Sequence, residues 1–136
     1  MSGPQGADRA LRILLAEDNS DIAQLAMGLL RARGHEVSHV DNADEVLPKI
    51  VLEAPDLIIL DVMMPSEQGL DGFSLCQRIK ENPHHRDTPV IIMSAIAQGT
   101  GKTEDEMRHR AGADAYIHKP FEAPHFLEVI ESLTAK

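Results

Sequence analysis

Glu17-Asp18, Asp61, Ser94 and Lys119 lie far apart in the chain, yet each directly follows a short run rich in branched aliphatic residues. Acids, a hydroxyl and an amine delivered in that way share one chemistry. Three carboxylates converging within several ångströms repel by about 4 kcal/mol per close pair at an effective dielectric of about 20, so they require a cation or raised pKa values. Lys119 neutralises only part of that charge. A hard divalent ion with oxygen ligands, kept partly hydrated, suits the set best, and Mg²⁺ is the abundant candidate. With a metal seated by Glu17, Asp18 and Asp61, one Asp61 oxygen stays available as a nucleophile toward phosphorus, since carboxylates form acyl phosphates. The metal and Lys119 would offset charge on the equatorial phosphoryl oxygens, Ser94 would donate to one of them, and the small Ala95 leaves room beside it. The plain alternative is a set of solubilised loop positions.

These side chains meet only if the aliphatic runs are strands of one sheet. Residues 11–16 (LRILLA), 56–60 (DLIIL), 89–93 (PVIIM) and 115–118 (AYIH) are short and almost continuously apolar, as strands covered on both faces of a parallel sheet are. A weaker strand is predicted at 35–40 (HEVSHV).

Helical patterns alternate with them. Ile22, Leu25, Ala26, Leu29 and Leu30 trace one face, opened by Asn19-Ser20 and stopped by Gly34. Val46, Leu47, Ile50, Val51 and Ala54 repeat the stripe after Asn42, whose spacing to Glu45 resembles a capping box, while Pro48 predicts a kink or a late start. Phe73, Cys76 and Ile79 mark a third helix, and Phe126, Val129, Ile130 and Leu133 mark the last. A short fourth helix is expected over 104–111, capped by Thr103 with Glu106, and residues 98–102 before it are expected to be mobile. The pattern is β-α repeated five times, a single doubly wound α/β domain whose functional residues gather at the carboxyl ends of its strands.

Composition narrows the function classes. The chain has 136 residues, 43% hydrophobic and 26% charged, enough for one domain with its own core. Residues 1–10 read as a flexible N-terminal segment ahead of a domain at 11–136. A formal charge of -9 and only four aromatics argue against direct binding of nucleic acid or anionic lipid. No apolar run approaches a membrane span, the start lacks a signal peptide's apolar stretch, and a cytoplasmic protein is implied. Cys76 is expected in the core, the seven histidines lack convergent metal-ligand spacing, and Gly99-Thr100-Gly101-Lys102-Thr103 lacks the first glycine of a P-loop, that position being Ile96.

Taken in order, Glu17-Asp18-Asn19, Asp61-Val62-Met63-Met64-Pro65, Ser94-Ala95, Ala111-Gly112-Ala113-Asp114 and Lys119-Pro120-Phe121 resemble the receiver domain of two-component response regulators, the CheY-like family. The resemblance implies a flavodoxin-like (βα)5 fold with a five-stranded parallel sheet in the order 2-1-3-4-5. It implies that Asp61 accepts a phosphoryl group from a sensor histidine kinase or phosphotransfer protein, that Glu17, Asp18, Asp61 and the Met63 backbone carbonyl hold Mg²⁺, and that Lys119 pairs with the phosphate. Ser94 and Tyr116 match the switch pair that reports phosphorylation to the face of the fourth helix, fifth strand and fifth helix, where a downstream partner, an output domain or a second copy would dock. A cis bond before Pro120 is also implied.

Two loops depart from the family's pattern. Ser66-Glu67-Gln68-Gly69-Leu70 lengthen the segment before Asp71-Gly72, so either Gly69 or Gly72 is the equivalent glycine, and residues 96–102 lengthen the loop after Ser94. The rival reading is a Mg²⁺-dependent phosphohydrolase with Asp61 as nucleophile; such enzymes usually carry an acid/base aspartate two positions on, where this chain has Met63. A third reading is a receiver fold serving only as a constitutive docking surface, against which Asp61, Lys119 and the acidic pair all stand. The expectation is therefore a switch, catalysing only its own phosphorylation and dephosphorylation. With little chain beyond the last helix, it would act on a separate partner or be a fragment of a longer protein.

Overall fold

The computed structural model describes residues 10–94 and 112–134. Five parallel strands, β1 (Arg12–Ala16), β2 (Glu36–Val40), β3 (Leu57–Asp61), β4 (Val90–Ser94) and β5 (Ala115–His118), form one sheet in the order β2-β1-β3-β4-β5. The expected strand order is the one found.

Alternate residues along each strand feed two cores. Leu14, Ile58, Leu60, Val90, Ile92 and Tyr116 point to the side covered by α2 (Val46–Glu53) and α3 (Gly72–Glu81). Ile13, Leu15, Ile59, Ile91, Met93 and Ile117 point to the side covered by α1 (Ser20–Ala32) and the C-terminal helix (Ala123–Thr134). Burial on both faces explains why β3 and β4 read as unbroken apolar runs. Each such Leu or Ile contributes about 2 kcal/mol by leaving water.

The helices start where short polar residues cap them. The Asn19 side chain accepts the Ile22 N–H, and Asn42 accepts the Glu45 N–H at the head of a 3-10 turn (Ala43–Glu45) that precedes α2. That turn is the late start that Pro48 predicted: Pro48 falls in the first turn of α2, where no N–H is needed. The apolar stripes sit slightly differently from the sequence pattern. In α1 the buried line runs Ala23, Ala26, Leu30, while Leu25 is exposed; in the eight-residue α2 only Val46 and Ile50 are buried, Val51 faces water, and Ala54 ends the helix at φ 48°. The expected fourth helix with its Thr103 cap, the mobile segment at 98–102, the glycine-lysine run at 99–103 and the space beside Ser94 at Ala95 all lie outside the described residues.

At the sheet edge opposite the acids, Asp114 accepts from Lys80 Nζ at 2.7 Å and from the Val90 N–H at 2.8 Å, tying α3 to the start of β4. Asp114, matched above only as part of a motif, thus has a structural task. Cys76 is fully buried beside it, and burial pushes its thiol up to about 12, far from a reactive thiolate.

His35 supplies a pH-dependent element of stability. Its Nδ1 accepts the Leu11 N–H at 3.1 Å, an acceptor role that only the neutral ring can fill. Burial, then the Arg33 charge, hold its pKa below the ordinary 6.5. A base whose folded pKa is depressed gives stability that is present above the unfolded value and is lost as pH falls toward the folded one. Urea unfolding of wild type and His35→Gln should therefore show the wild type losing stability relative to the variant on acidification below 6.5. A constant difference between them would contradict this.

Candidate functional site

The backbone ladder continues one rung past three strands and carries the polar groups with it. Glu17 N–H donates to Val40 O, Val62 N–H to Met93 O and Lys119 N–H to Ser94 O, each at 3.1 Å. Asp61 ends β3, Ser94 ends β4 and His118 ends β5, with Asp61 paired to Met93 and Ser94 to His118. All the strand-end groups singled out in the sequence therefore share one edge of the sheet.

They line one cleft of about 480 Å³, together with Asn19, Ile22 and Met63. One oxygen from each of Glu17, Asp18 and Asp61 lies within 4.8 Å of the others. Glu17 has no exposure at all, Asp61 is 4% exposed and Ser94 2% exposed, whereas Asp18 faces solvent. The Lys119 amine bridges the buried pair, 2.9 Å from Glu17 Oε1 and 3.2 Å from Asp61 Oδ1. The second Glu17 oxygen accepts the Asn19 N–H at 3.1 Å.

Electrostatics follow from that crowding. Burial first, then the Glu17 charge, push the Asp61 carboxyl up to about 7, and Lys119 only partly opposes them. Burial disfavours the charged amine of Lys119 too, yet its bonds to Glu17 and Asp61 prevail and hold it above its ordinary range. The cleft carries more negative charge than its lysine offsets, and the three groups that converge in it are carboxylates. Such a set fits a hard divalent cation.

Helix α3 starts against the backbone that carries Asp61. Asp71 and Ser74 form a capping box, and the Gly72 N–H donates to Val62 O at 2.9 Å. A Cβ on Gly72 would lie 2.6 Å from Asp61 O and 2.8 Å from Val62 Cα, while at Gly69 it would meet nothing within 4 Å. Gly72 is therefore the glycine that lets the helix approach the acid-bearing strand; Gly69, at φ 74°, serves the turn before it.

Sequence and fold comparisons show the family. Residues 13–131 match the response regulator receiver domain. The chain belongs to that family. It is 43% identical over 115 residues to a gliding motility regulatory protein of Myxococcus xanthus, covering 83% of this chain and 14% of that protein. It is 32% identical over 120 residues to the polar-differentiation response regulator DivK of Brucella anthropi, covering 88% and 93%. Among solved structures, the receiver domain of a sensor histidine kinase from Pseudomonas aeruginosa, with a magnesium ion coordinated in its active-site cleft, superposes with a TM-score of 0.79 at 26% identity, covering 92% and 98%. As a receiver domain, the chain is a phosphorylation-controlled switch of two-component signalling. No helix among its described residues is long and apolar enough to cross a membrane.

Every predicted site residue described in this receiver reaches the cleft except Tyr116, which lies 5% exposed in the core beneath the edge, edge-on to His118 at 5.1 Å. The two ring planes meet at 89°. Sequence reasoning missed the bond from Asn19 to Glu17 and the imidazole of His39, whose Nε2 lies 2.7 Å from Glu17 O. It also missed Asp44, which holds the long loop after Pro65 through Ser66 Oγ at 2.7 Å and the Glu67 N–H at 2.8 Å. These bonds keep the Asp44 carboxyl below its ordinary range, the Ser66 hydroxyl most of all. Nothing in the spacing of Asp44 and Ser66 signals that contact.

Proposed function

We propose that Asp61 accepts the phosphoryl group, from a sensor histidine kinase or phosphotransfer protein, and that Glu17, Asp18, Asp61 and the Met63 carbonyl hold Mg²⁺ while they do so. The observation that carries this reading is the meeting of three carboxylates and one amine in a single cleft, with Asp61 pushed up to about 7. The metal would supply charge neutralisation at the phosphoryl oxygens. An Asp61 oxygen attacks phosphorus, the bond from phosphorus to the donor's nitrogen or oxygen breaks, and the leaving group keeps its electron pair. Lys119, already bridging Glu17 and Asp61, is placed to pair with a transferred phosphoryl oxygen. Ser94, buried at the same edge, supplies a hydroxyl donor.

A phosphoryl group brings about -1.5 to -2 charge into this cleft, drawing the Ser94 hydroxyl and Lys119 toward it. In this reading Tyr116 moves with Ser94, and the change is read at the face containing β5 and the C-terminal helix by a downstream protein, an output domain or a second copy. We place the receiver unit at residues 11–136, acting in the cytoplasm, with no activity on external substrates. The phosphohydrolase reading is disfavoured by Met63, an exposed thioether where such an enzyme needs an acid/base. Incubation with acetyl phosphate should add one phosphoryl mass to the wild type with Mg²⁺ and none to Asp61→Asn. Steady phosphate release from unrelated monoesters would favour the hydrolase instead.

A further inference from the structure

Two of the three acids in the cleft are held by partners of their own, and the third is not. Glu17 accepts from Asn19 and Lys119, and Asp61 faces the Lys119 amine. Asp18 is exposed and makes no hydrogen bond or ion pair among the described residues. Its direction is set by the peptide that carries it.

The carbonyl of that peptide is Glu17 O, which lies 2.7 Å from His39 Nε2. A carbonyl oxygen only accepts, so Nε2 carries the proton and donates. His39 is the residue paired with Leu15 near the end of β2, and the next residue, Val40, accepts the Glu17 N–H. The end of β2 therefore grips both backbone groups of Glu17, one through a strand carbonyl and one through a side chain. Rotation of the Glu17-Asp18 peptide would carry the Asp18 carboxylate away from Glu17 and Asp61, and the imidazole bond opposes that rotation.

We propose that His39 is a positioning residue for the divalent cation, acting through Glu17 O to aim the otherwise unheld Asp18 into the cleft. This inference rests on the reading of the cleft as a Mg²⁺ site. Partners one step removed from a metal ligand typically change metal affinity by about 10- to 100-fold when removed. His39 stands at the lower end of that range, because it orients one ligand of the set.

The test is a Mg²⁺ titration followed by the rise in melting temperature, on wild type, His39→Val and His39→Gln. Valine suits a strand but cannot donate, whereas the glutamine amide offers a donor of similar reach. His39→Val should bind Mg²⁺ about tenfold more weakly, with saturating Mg²⁺ restoring its rate of phosphorylation by acetyl phosphate, and His39→Gln should recover most of the affinity. Unchanged Mg²⁺ affinity in His39→Val would overturn the inference, including when its metal-free melting temperature falls, because His39 would then only hold the strand end. Equal weakening in both variants would overturn it as well. Absence of any Mg²⁺ response in the wild type would overturn the metal site itself and the inference with it.

Discussion

Gly72→Ala is expected to cost about 3 kcal/mol of folding stability and to slow phosphorylation by about 100-fold. The added methyl would meet Asp61 O at 2.6 Å, Val62 Cα at 2.8 Å and Asp61 C at 3.1 Å, all main-chain atoms of the strand end that bears Asp61. Main chain held in a buried parallel ladder cannot swing aside as a flexible side chain does. Either α3 lifts away, breaking the Gly72 N–H bond to Val62 O, or Asp61 moves relative to Glu17 and Lys119. Gly69→Ala makes the matching control. It strains a residue at φ 74° with nothing near the new methyl, so it should cost only about 1 kcal/mol and leave the phosphorylation rate unchanged. Denaturant unfolding and acetyl phosphate kinetics on the two variants decide the matter; equal behaviour would mean that α3 does not bear on the Asp61 backbone.

Asp61→Asn is expected to make the metal-free protein more stable at mildly alkaline pH by about 2 kcal/mol. The folded carboxyl titrates at about 7 instead of its ordinary 3.8, because of burial and then Glu17. A shift of that size corresponds to about 4 kcal/mol at most, and the loss of one Lys119 partner takes back part of it. The sign is fixed by linkage. With a raised folded pKa, the acid favours the native state while protonated, and that favour is lost as pH rises through about 7. Asn is neutral throughout, so the advantage of the variant should shrink toward zero as the buffer is made acidic. Mg²⁺ should reverse the ranking by stabilising the wild type more. A variant less stable than wild type in metal-free alkaline buffer would contradict the crowded-acid picture.

Much of this was legible in the sequence because parallel strands buried on both faces leave an unmistakable apolar run. Residues 89–93 form such a run, and β4 lies one residue further on, ending at Ser94, which the pattern sets at the strand's exit. The same logic delivered Glu17, Asp61 and Lys119 to one edge without any knowledge of their contacts. What periodicity could not show was direction in space. The α1 stripe of Ile22, Leu25, Ala26, Leu29 and Leu30 holds two of the buried residues, Ala26 and Leu30, but Leu25 faces water and Ala23 joins the buried line instead, since small alanines let the helix sit close to the sheet. The choice between Gly69 and Gly72 also stayed open, because approach distance, unlike spacing, is a property of packing. His39 looked like one more scattered histidine, and only the parallel register with Leu15 brings it to Glu17 O.

The acid at position 61, in a cleft shared with Glu17, Asp18 and Lys119, is expected to become an acyl phosphate when Mg²⁺ is present. Borohydride reduction of protein treated with acetyl phosphate converts an acyl-phosphorylated aspartate to homoserine, which peptide mass spectrometry can locate. Homoserine at position 61 alone, formed with Mg²⁺ and absent without it, is the predicted result. Homoserine at Asp18 or another acid, or an equal yield with the metal chelated, would mean that Asp61 is not the Mg²⁺-dependent acceptor.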